Sequence, residues 1–399
     1  METKQALEVA MIALAFIIVG VLVSAPYVET KMVTNSTVIE GNVIVSDAVN
    51  ITADLEQPEY GEGFYWGMTH NGDVAFQSAN DETDWSYSDI HYYDSDTGNI
   101  SQLTYINSSA WIFDLHNEFL TYEYDNDIYV KNIETNVTSQ ITHTVGIYES
   151  MPCIWGDNII YTRNYQIYWY DWNTAIETAI SPASLLYTQL TTSAIYENIV
   201  VYHAYDGDYN VYAAYLNDPD TFENPIYLGE GQYPSIWEKH VLWNPDDYTI
   251  ELLNLFTREG DTYTFTDPNL FVSWATISED FVAISLFNMS DGNNTVGLVR
   301  IYGDSFGTEF HNIVTAYGMY FDDFSYPTIT TDLWDESEQR YNVVIYNILE
   351  VEEEEEQITP EEGGVIEEYN YSWIYFSVIA IMTLVAIVAY YYSEYVLDY

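Results

Sequence analysis

Residues 153–181 read CIWGDNIIYTRNYQIYWYDWNTAIETAIS. The stretch breaks into an apolar start, a Gly-Asp-Asn turn, an apolar run, a two-residue break at Asn164-Tyr165, an alternating aromatic run, an Asp-Trp-Asn-Thr turn and a short closing run. β-branched and aromatic residues fill the runs, and Gly, Asp and Asn fill the breaks, which is the chemistry of four short strands joined by tight turns. The same pattern recurs. Leu115-HNEFLTY, Ile154-WGDNIIY, Ile195-YENIVVY, Ile236-WEKHVLW and Ile277-SEDFVAI align as strand, polar turn and strand, at spacings of 39, 41, 41 and 41 residues. Met68-THNGDVAF is a looser copy upstream and Pro327-TITTD a looser one downstream. Four strands per period of about 40 residues is the signature of a β-propeller.

The second half of each unit repeats as well. Ile90-HYYDSDTGNISQLT, Ile128-YVKNIETNVTSQIT and Ile167-YWYDWNTAIETAIS share a Tyr-Asp-like strand, a polar turn and a closing Ile/Leu-Thr/Ser. This resembles the TolB-type propeller repeat over roughly residues 60–350, best in the first three units. The resemblance implies a fold, all-β and ring-shaped, and leaves the activity open because propellers host many functions. Seven anchors, near 68, 115, 154, 195, 236, 277 and 329, predict seven blades, with six or eight the alternatives since the first and last units are irregular. The wide gap after 277 places an insertion at Asn288–Thr295 or Gly303–Thr308.

Composition narrows the function classes. The chain of 399 residues carries 63 Asp and Glu against 8 Lys and Arg, a formal net charge of −55 at pH 7. Nucleic-acid binding needs cations to displace counterions from phosphate, so that class is excluded. Such an excess of one sign repels itself at neutral pH unless salt screens it or acid protonates it, and the Ile-, Tyr- and Asn-rich composition favours an acidic exterior. The single cysteine, Cys153, can form no intramolecular disulfide and reads as a buried small hydrophobe.

Residues 1–25 hold an apolar run from Val9 to Val23, short for a full span and suited to a signal peptide or an uncleaved signal anchor. Residues 26–60 form a partial repeat expected to close the ring against the last blade, and 61–350 are the propeller. The run VEEEEEQITPEEGGVIEEYN at 351–370 reads as an extended acidic linker. Residues 371–392, YSWIYFSVIAIMTLVAIVAYYY, carry no charge and have aromatic residues at both ends. About 20 residues at 1.5 Å span about 30 Å, so this segment predicts a transmembrane helix with interfacial belts, followed by a short tail at 393–399. Sequons at Asn35, Asn50, Asn99, Asn107, Asn136, Asn288, Asn293 and Asn370 all fall on the side expected to be exported, and predict glycosylation.

Several motifs mimic chemistry. Gly303-Asp-Ser-Phe-Gly307 matches G-x-S-x-G, but no helix pattern follows, so a hairpin turn is expected. Asp96-Thr97-Gly98 matches half of an aspartic protease pair without a second copy, again at a turn. Asp206-Gly-Asp208-Tyr-Asn210 has the spacing of a Ca²⁺ loop without the EF-hand glycine and glutamate, a candidate weak Ca²⁺ site; no other cofactor is indicated. The pairs Asp94/Asp96, Asp125/Asp127 and Asp322/Asp323 read as turn carboxylates. The histidines show no zinc spacing, and the four arginines lie in different units. With no assembled catalytic set, the expectation is a membrane-anchored, extracellular propeller that serves an archaeal surface layer or envelope as a binding or structural protein, with envelope proteins or glycans as partners. The alternatives are a membrane-tethered glycan or peptide hydrolase or lyase, and an envelope assembly or sensor platform.

Overall fold

The computed structural model describes residues 37–39, 43–55, 63–79, 88–105, 110–191, 193–335 and 340–350. The expected export segment, acidic linker, apolar segment 371–392 and tail lie outside these residues, as do Asn35, Asn107 and Asn370. Among the described residues no helix is long and apolar enough to cross a membrane.

Three short strands come first: β1 (Thr37–Ile39), β2 (Val43–Val45) and β3 (Val49–Asn50). Blade 1 follows with β4 (Phe64–His70), β5 (Asp73–Ala79), β6 (Ser88–Asp94) and β7 (Asn99–Gln102). Blade 2 has β8 (Ala110–His116), β9 (Phe119–Tyr124), β10 (Asp127–Asn132) and β11 (Val137–Gln140). Blade 3, the opening stretch of sequence, has β12 (Glu149–Trp155), β13 (Asn158–Arg163), β14 (Gln166–Asp171) and β15 (Ile176–Ala179). Blade 4 splits its innermost strand into β16 (Leu186–Gln189) and β17 (Ile195–Tyr196), then runs through β18 (Ile199–Tyr205), β19 (Tyr209–Tyr215), the one-turn helix α1 (Asp220–Glu223) and β20 (Ile226–Glu230). Blade 5 has β21 (Gln232–Trp237), β22 (His240–Asp246), β23 (Thr249–Asn254) and β24 (Gly260–Thr264). Blade 6 has β25 (Leu270–Ser278), β26 (Phe281–Asn288), β27 (Asn293–Tyr302), β28 (Ser305–Phe306) and β29 (His311–Tyr317). Blade 7 has β30 (Met319–Ser325), β31 (Thr328–Asp335) and β32 (Arg340–Glu350).

These strands form seven antiparallel sheets, so the protein is a seven-bladed β-propeller. Each repeat anchor is the end of an innermost strand, its turn and the second strand. The long sixth repeat is explained by β28, which pairs with the end of β27 before β29 returns along its start.

Ring closure draws on both ends of the propeller. Strands β2 and β3 pair with β32, so the N-terminal side completes the seventh sheet. Arg340 donates to the carbonyls of Thr52, Ala53 and Leu55, and the Thr52 hydroxyl donates to Asn342. Gly63 bridges Tyr341 at the join of blades 7 and 1. Its φ is +107°, and a Cβ there would lie 2.3 Å from the Tyr341 carbonyl oxygen, so only glycine fits.

The apolar core is divided into seven wedges. Each buried cluster joins two neighbouring blades: Met68 and Ile90 with Ile112 and Leu120, Ile128 and Val130 with Ile159 and Tyr161, Ile160 and Ile167 with Val200 and Ala214. The series continues with Val201 and Val211 against Val241 and Trp243, Leu242 and Leu252 against Ile284 and Val299, and Ala283 and Leu298 against Ile329 and Val344. Phe76 and Val74 against Val343 and Ile345, with Ile51 from the N-terminal side, make the seventh. Strand alternation sends one face of each sheet into each wedge, so no blade can bury its own apolar surface alone.

Polar groups tie the wedges together. Asp114 accepts the Ile154 N–H at 2.8 Å, Asp323 accepts the Thr69 N–H at 3.1 Å, and Ser235 Oγ accepts the Ile277 N–H at 3.1 Å, each from the next blade. Asp332 accepts the Trp66 N–H at 2.9 Å and stands against Asp322. Asp322 and Asp323 therefore lie in innermost strand β30 and not on a turn as expected. Their partners sit some 260 residues away in sequence, beyond the reach of local pattern reading. Burial pushes Asp114 up to about 7 and Asp323 up to about 6, and it raises both members of the Asp322–Asp332 pair.

The pH consequence has a definite sign. These folded carboxyls hold protons that the unfolded chain, titrating near 3.8, has released at neutral pH. Stability is thus fully present below about pH 4 and falls as pH rises through 6 to 7. Buried His116 and His203, lowered to about 4, act in the opposite direction. The carboxyl set is larger, Glu123 at about 7 adds to it, and relief of the −55 charge has the same sign. The melting temperature should therefore be higher at pH 5 than at pH 7.5, measured by calorimetry, and Asp323→Asn should flatten that dependence while raising stability at pH 7.5. A second expectation concerns closure: Arg340→Ala should lower stability by about 2–3 kcal/mol in denaturant titration, since it strips charge-assisted bonds from three carbonyls.

Candidate functional site

All seven innermost strands carry a register shift, between Tyr65/Met68, Ile112/Asp114, Ser150/Cys153, Leu186/Gln189, Gln232/Ser235, Val272/Trp274 and Phe321/Asp323, at matching height in blades 1, 2, 3, 5 and 7. A bulge bends its strand and re-aims the side chain beside it. At four of them the backbone is left-handed at a non-glycine residue: Trp66 (φ +60°), Met151 (+55°), Tyr187 (+49°) and Tyr233 (+57°). Bulky residues pay for that conformation with roughly 1 kcal/mol or more, and such outliers concentrate at functional sites.

Three of the four are aromatic, and they belong to a larger pattern. On the end of the ring where the innermost strands begin, rings follow one another in contact: Tyr165 to Tyr187 (4.9 Å between centroids), Tyr187 to Tyr205 (6.5 Å), Tyr205 to Tyr209 (5.1 Å), Tyr209 to His203 (5.6 Å), His203 to Tyr233 (5.6 Å) and Tyr233 to Trp274 (5.5 Å). Trp66 and Trp111 form a separate pair at 5.5 Å. Tyr165, Tyr187, Tyr205 and Tyr209 are exposed. The track ends in a cleft of about 680 Å³ between blades 6 and 7, walled by Trp274, Phe287, Tyr317, Tyr320 and Tyr341.

Charged groups on this end are tied down. Arg163 pairs with Glu149 and with Glu177 at 2.6 Å, and stacks 4.5 Å over Tyr168. Glu149 is fully enclosed, while Arg163 stays partly exposed and also holds Glu177. Tyr148 donates to Glu123 at 3.3 Å, and burial raises Glu123 to about 7.

The opposite end is closed. The last residues of the innermost strands in blades 1 to 5 are His70, His116, Trp155, Tyr196 and Trp237, with successive centroids 4.6, 4.3, 4.3 and 5.2 Å apart. Blades 6 and 7 place Ser278 and Ser325 there. Behind this girdle a cavity of about 40 Å³ is lined in part by Asp114 and Asp323.

The sequence candidates fall as follows. Asp206, Asp208 and Asn210 sit at the exposed β18–β19 hairpin, between Tyr205 and Tyr209, where Asn210 Nδ2 donates to Asp206 Oδ1 at 2.8 Å. No cluster of three or more His, Cys, Asp or Glu suited to a metal occurs among the described residues. Asn50 lies on β3, Asn99 opens β7, Asn136 stands in the β10–β11 turn, and Asn288 and Asn293 flank the β26–β27 turn. Gly303–Gly307 is the β27–β28 hairpin, where Asp304 accepts from His240 and Asn254 of blade 5, each at 2.8 Å. Asp96-Thr97-Gly98 is the β6–β7 turn, with Asp94 accepting from the N–H groups of Asp96 and Thr97. Cys153 is buried, and burial pushes its thiol well up. Arg163, Arg258, Arg300 and Arg340 stay in blades 3, 5, 6 and 7. From sequence, most tyrosines and tryptophans read as sheet packing and some as a stacking surface for glycans; the bulge that exposes Trp66 and Tyr187 leaves no mark in residue type.

No protein-family model matches the chain, and no curated protein matches it. Solved structures do. The β-propeller domain of the trilobed protease from Pyrococcus furiosus is 11% identical over 71% of this chain and 94% of that one, with a TM-score of 0.46. The acylaminoacyl peptidase of Pyrococcus horikoshii is 12% identical over 73% and 52%, with a TM-score of 0.49. PorZ of Porphyromonas gingivalis, a surface component of a type-IX secretion system, is 13% identical over 66% and 35%, with a TM-score of 0.42. The likeness is one of fold. This chain spans about a third of PorZ and about half of the peptidase.

Two substitutions probe the site. Tyr187→Gly relieves the left-handed strain and removes an exposed ring, so stability should be unchanged or up by about 1 kcal/mol in denaturant titration. Glu149→Gln should lower it by about 1–2 kcal/mol, because one charge-assisted bond to Arg163 is weakened while Glu177 remains.

Proposed function

We propose that this protein is a membrane-anchored, extracellular propeller of TolB type that serves an archaeal surface layer or envelope as a binding protein, with envelope proteins or glycans as partners. The observation that carries the reading is the group of exposed rings Tyr165, Tyr187, Tyr205 and Tyr209 on one end of the propeller, two of them held by left-handed backbone. Large rigid aromatic groups supply contact area at low entropic cost, and exposed ones in contact mark interaction surfaces. The uncharged segment 371–392, the apolar N-terminal run and the sequons supply the location. The acidic composition suits an exterior of low pH, in line with the raised carboxyls.

A second reading, a tethered glycan or peptide hydrolase, draws on the paired carboxyls Asp322 and Asp332 beside Phe321 of the cleft. Against it, Asp332 is engaged by the Trp66 N–H, and Asp322 Oδ2 is enclosed.

Protease treatment of whole cells, followed by affinity purification from detergent and mass spectrometry, tests the reading. Cleavage of the propeller in intact cells, glycan on Asn136 and stoichiometric envelope partners are expected. A propeller protected in intact cells would overturn it. Turnover of a glycan or peptide panel that vanishes in Asp322→Asn would move the hydrolase to first place.

A further inference from the structure

The cleft between blades 6 and 7 has a chemistry of its own. None of its eleven lining residues is charged, in a chain with 63 acidic residues. Six rings wall it, and Tyr317 and Tyr320 are 71% and 58% exposed. Polar groups are interleaved with the rings. The Ser273 hydroxyl donates to Ser285 Oγ at 2.9 Å, which leaves its own oxygen as an acceptor, and one Asn294 amide N–H is taken by the Met319 carbonyl. The Trp274 indole N–H is enclosed, out of reach of a ligand, so Trp274 offers the cleft its ring.

We propose that this cleft, with the ring track leading into it, binds an uncharged oligosaccharide. The inference rests on the reading of this end of the propeller as its binding surface. A sugar ring offers one apolar C–H face to an aromatic wall and hydroxyls at its edge to serine and asparagine side chains. An anionic ligand would need Lys or Arg in the wall and would meet the field of the −55 charge. A basic peptide would need carboxylates in the wall, and there are none. A lipid would leave the interleaved polar groups unpaired. Beyond the cleft, the exposed rings Tyr165, Tyr187, Tyr205 and Tyr209 of blades 3 and 4 lie on the same end and offer further faces to a longer chain.

The test uses the full-length protein in lauryldimethylamine oxide, because alkyl glycoside detergents would compete. Glucose, mannose and galactose hexaoses are titrated by calorimetry and by tryptophan fluorescence at roughly up to 10 mM, with hexagalacturonate and hexalysine alongside. A neutral hexaose should bind saturably. Tyr320→Ala and Tyr317→Ala, both exposed positions, should weaken it by about tenfold each at unchanged melting temperature. Phe287→Ala removes a third exposed ring of the wall; it should weaken binding by roughly threefold or more at unchanged melting temperature. Preference for hexalysine or hexagalacturonate, saturable binding that survives all three substitutions, or no binding by any neutral hexaose would overturn the inference. Its failure is separable from that of the wider reading. A protease-accessible propeller that ignores sugars sinks only the ligand, and a sugar-binding propeller protected inside the cell sinks only the location.

Discussion

The structure depends on burial that no blade can achieve by itself. Each four-stranded sheet has two apolar faces, and each face finds its cover only on the next blade. Seven wedges of aliphatic and aromatic side chains result, and the last of them exists only if the chain returns to its beginning. Ile51, Thr52 and the carbonyls up to Leu55 supply that return, with Arg340 gripping them from blade 7. The carboxylate ties of Asp114 and Asp323 add direction to an attraction that has none, because each accepts one particular N–H across a blade boundary.

Those ties also make the ring sensitive to its medium. A carboxyl enclosed in a wedge is more comfortable protonated, and several such groups surround the axis. The same property that burdens the fold at neutral pH suits it to acid, where the surface carboxylates lose their mutual repulsion as well. Environment and interior thus point the same way, although one is a matter of surface charge and the other of desolvation.

The repeat was legible because hairpin chemistry is local: Gly156-Asp157, Glu197-Asn198 and Glu238-Lys239 mark the same turn in successive blades, and the flanking runs alternate as strands must. Even the irregular sixth repeat betrayed its excursion, at one of the two stretches its spacing suggested. What sequence could not show was anything set by a partner far along the chain. Asp322 and Asp323 have the composition of a turn, and only the amides of blade 1 explain why they lie in a strand. Trp66 and Tyr187 have the composition of a sheet core, and only the bulge reveals that they are exposed. Tertiary geometry, in both cases, overrides local preference.

The closing sheet has a mechanical corollary. Val43 stands opposite Glu350, and Val45 opposite Ile348, so the start of β2 and the end of β32 lie side by side at one edge of the pair. The chain, however, enters this sheet through β1 at Thr37, which stands opposite Val45 at the other end of the pair. A pull between Thr37 and Glu350 would therefore load the β2–β32 bonds in shear, all together, and not open them one by one.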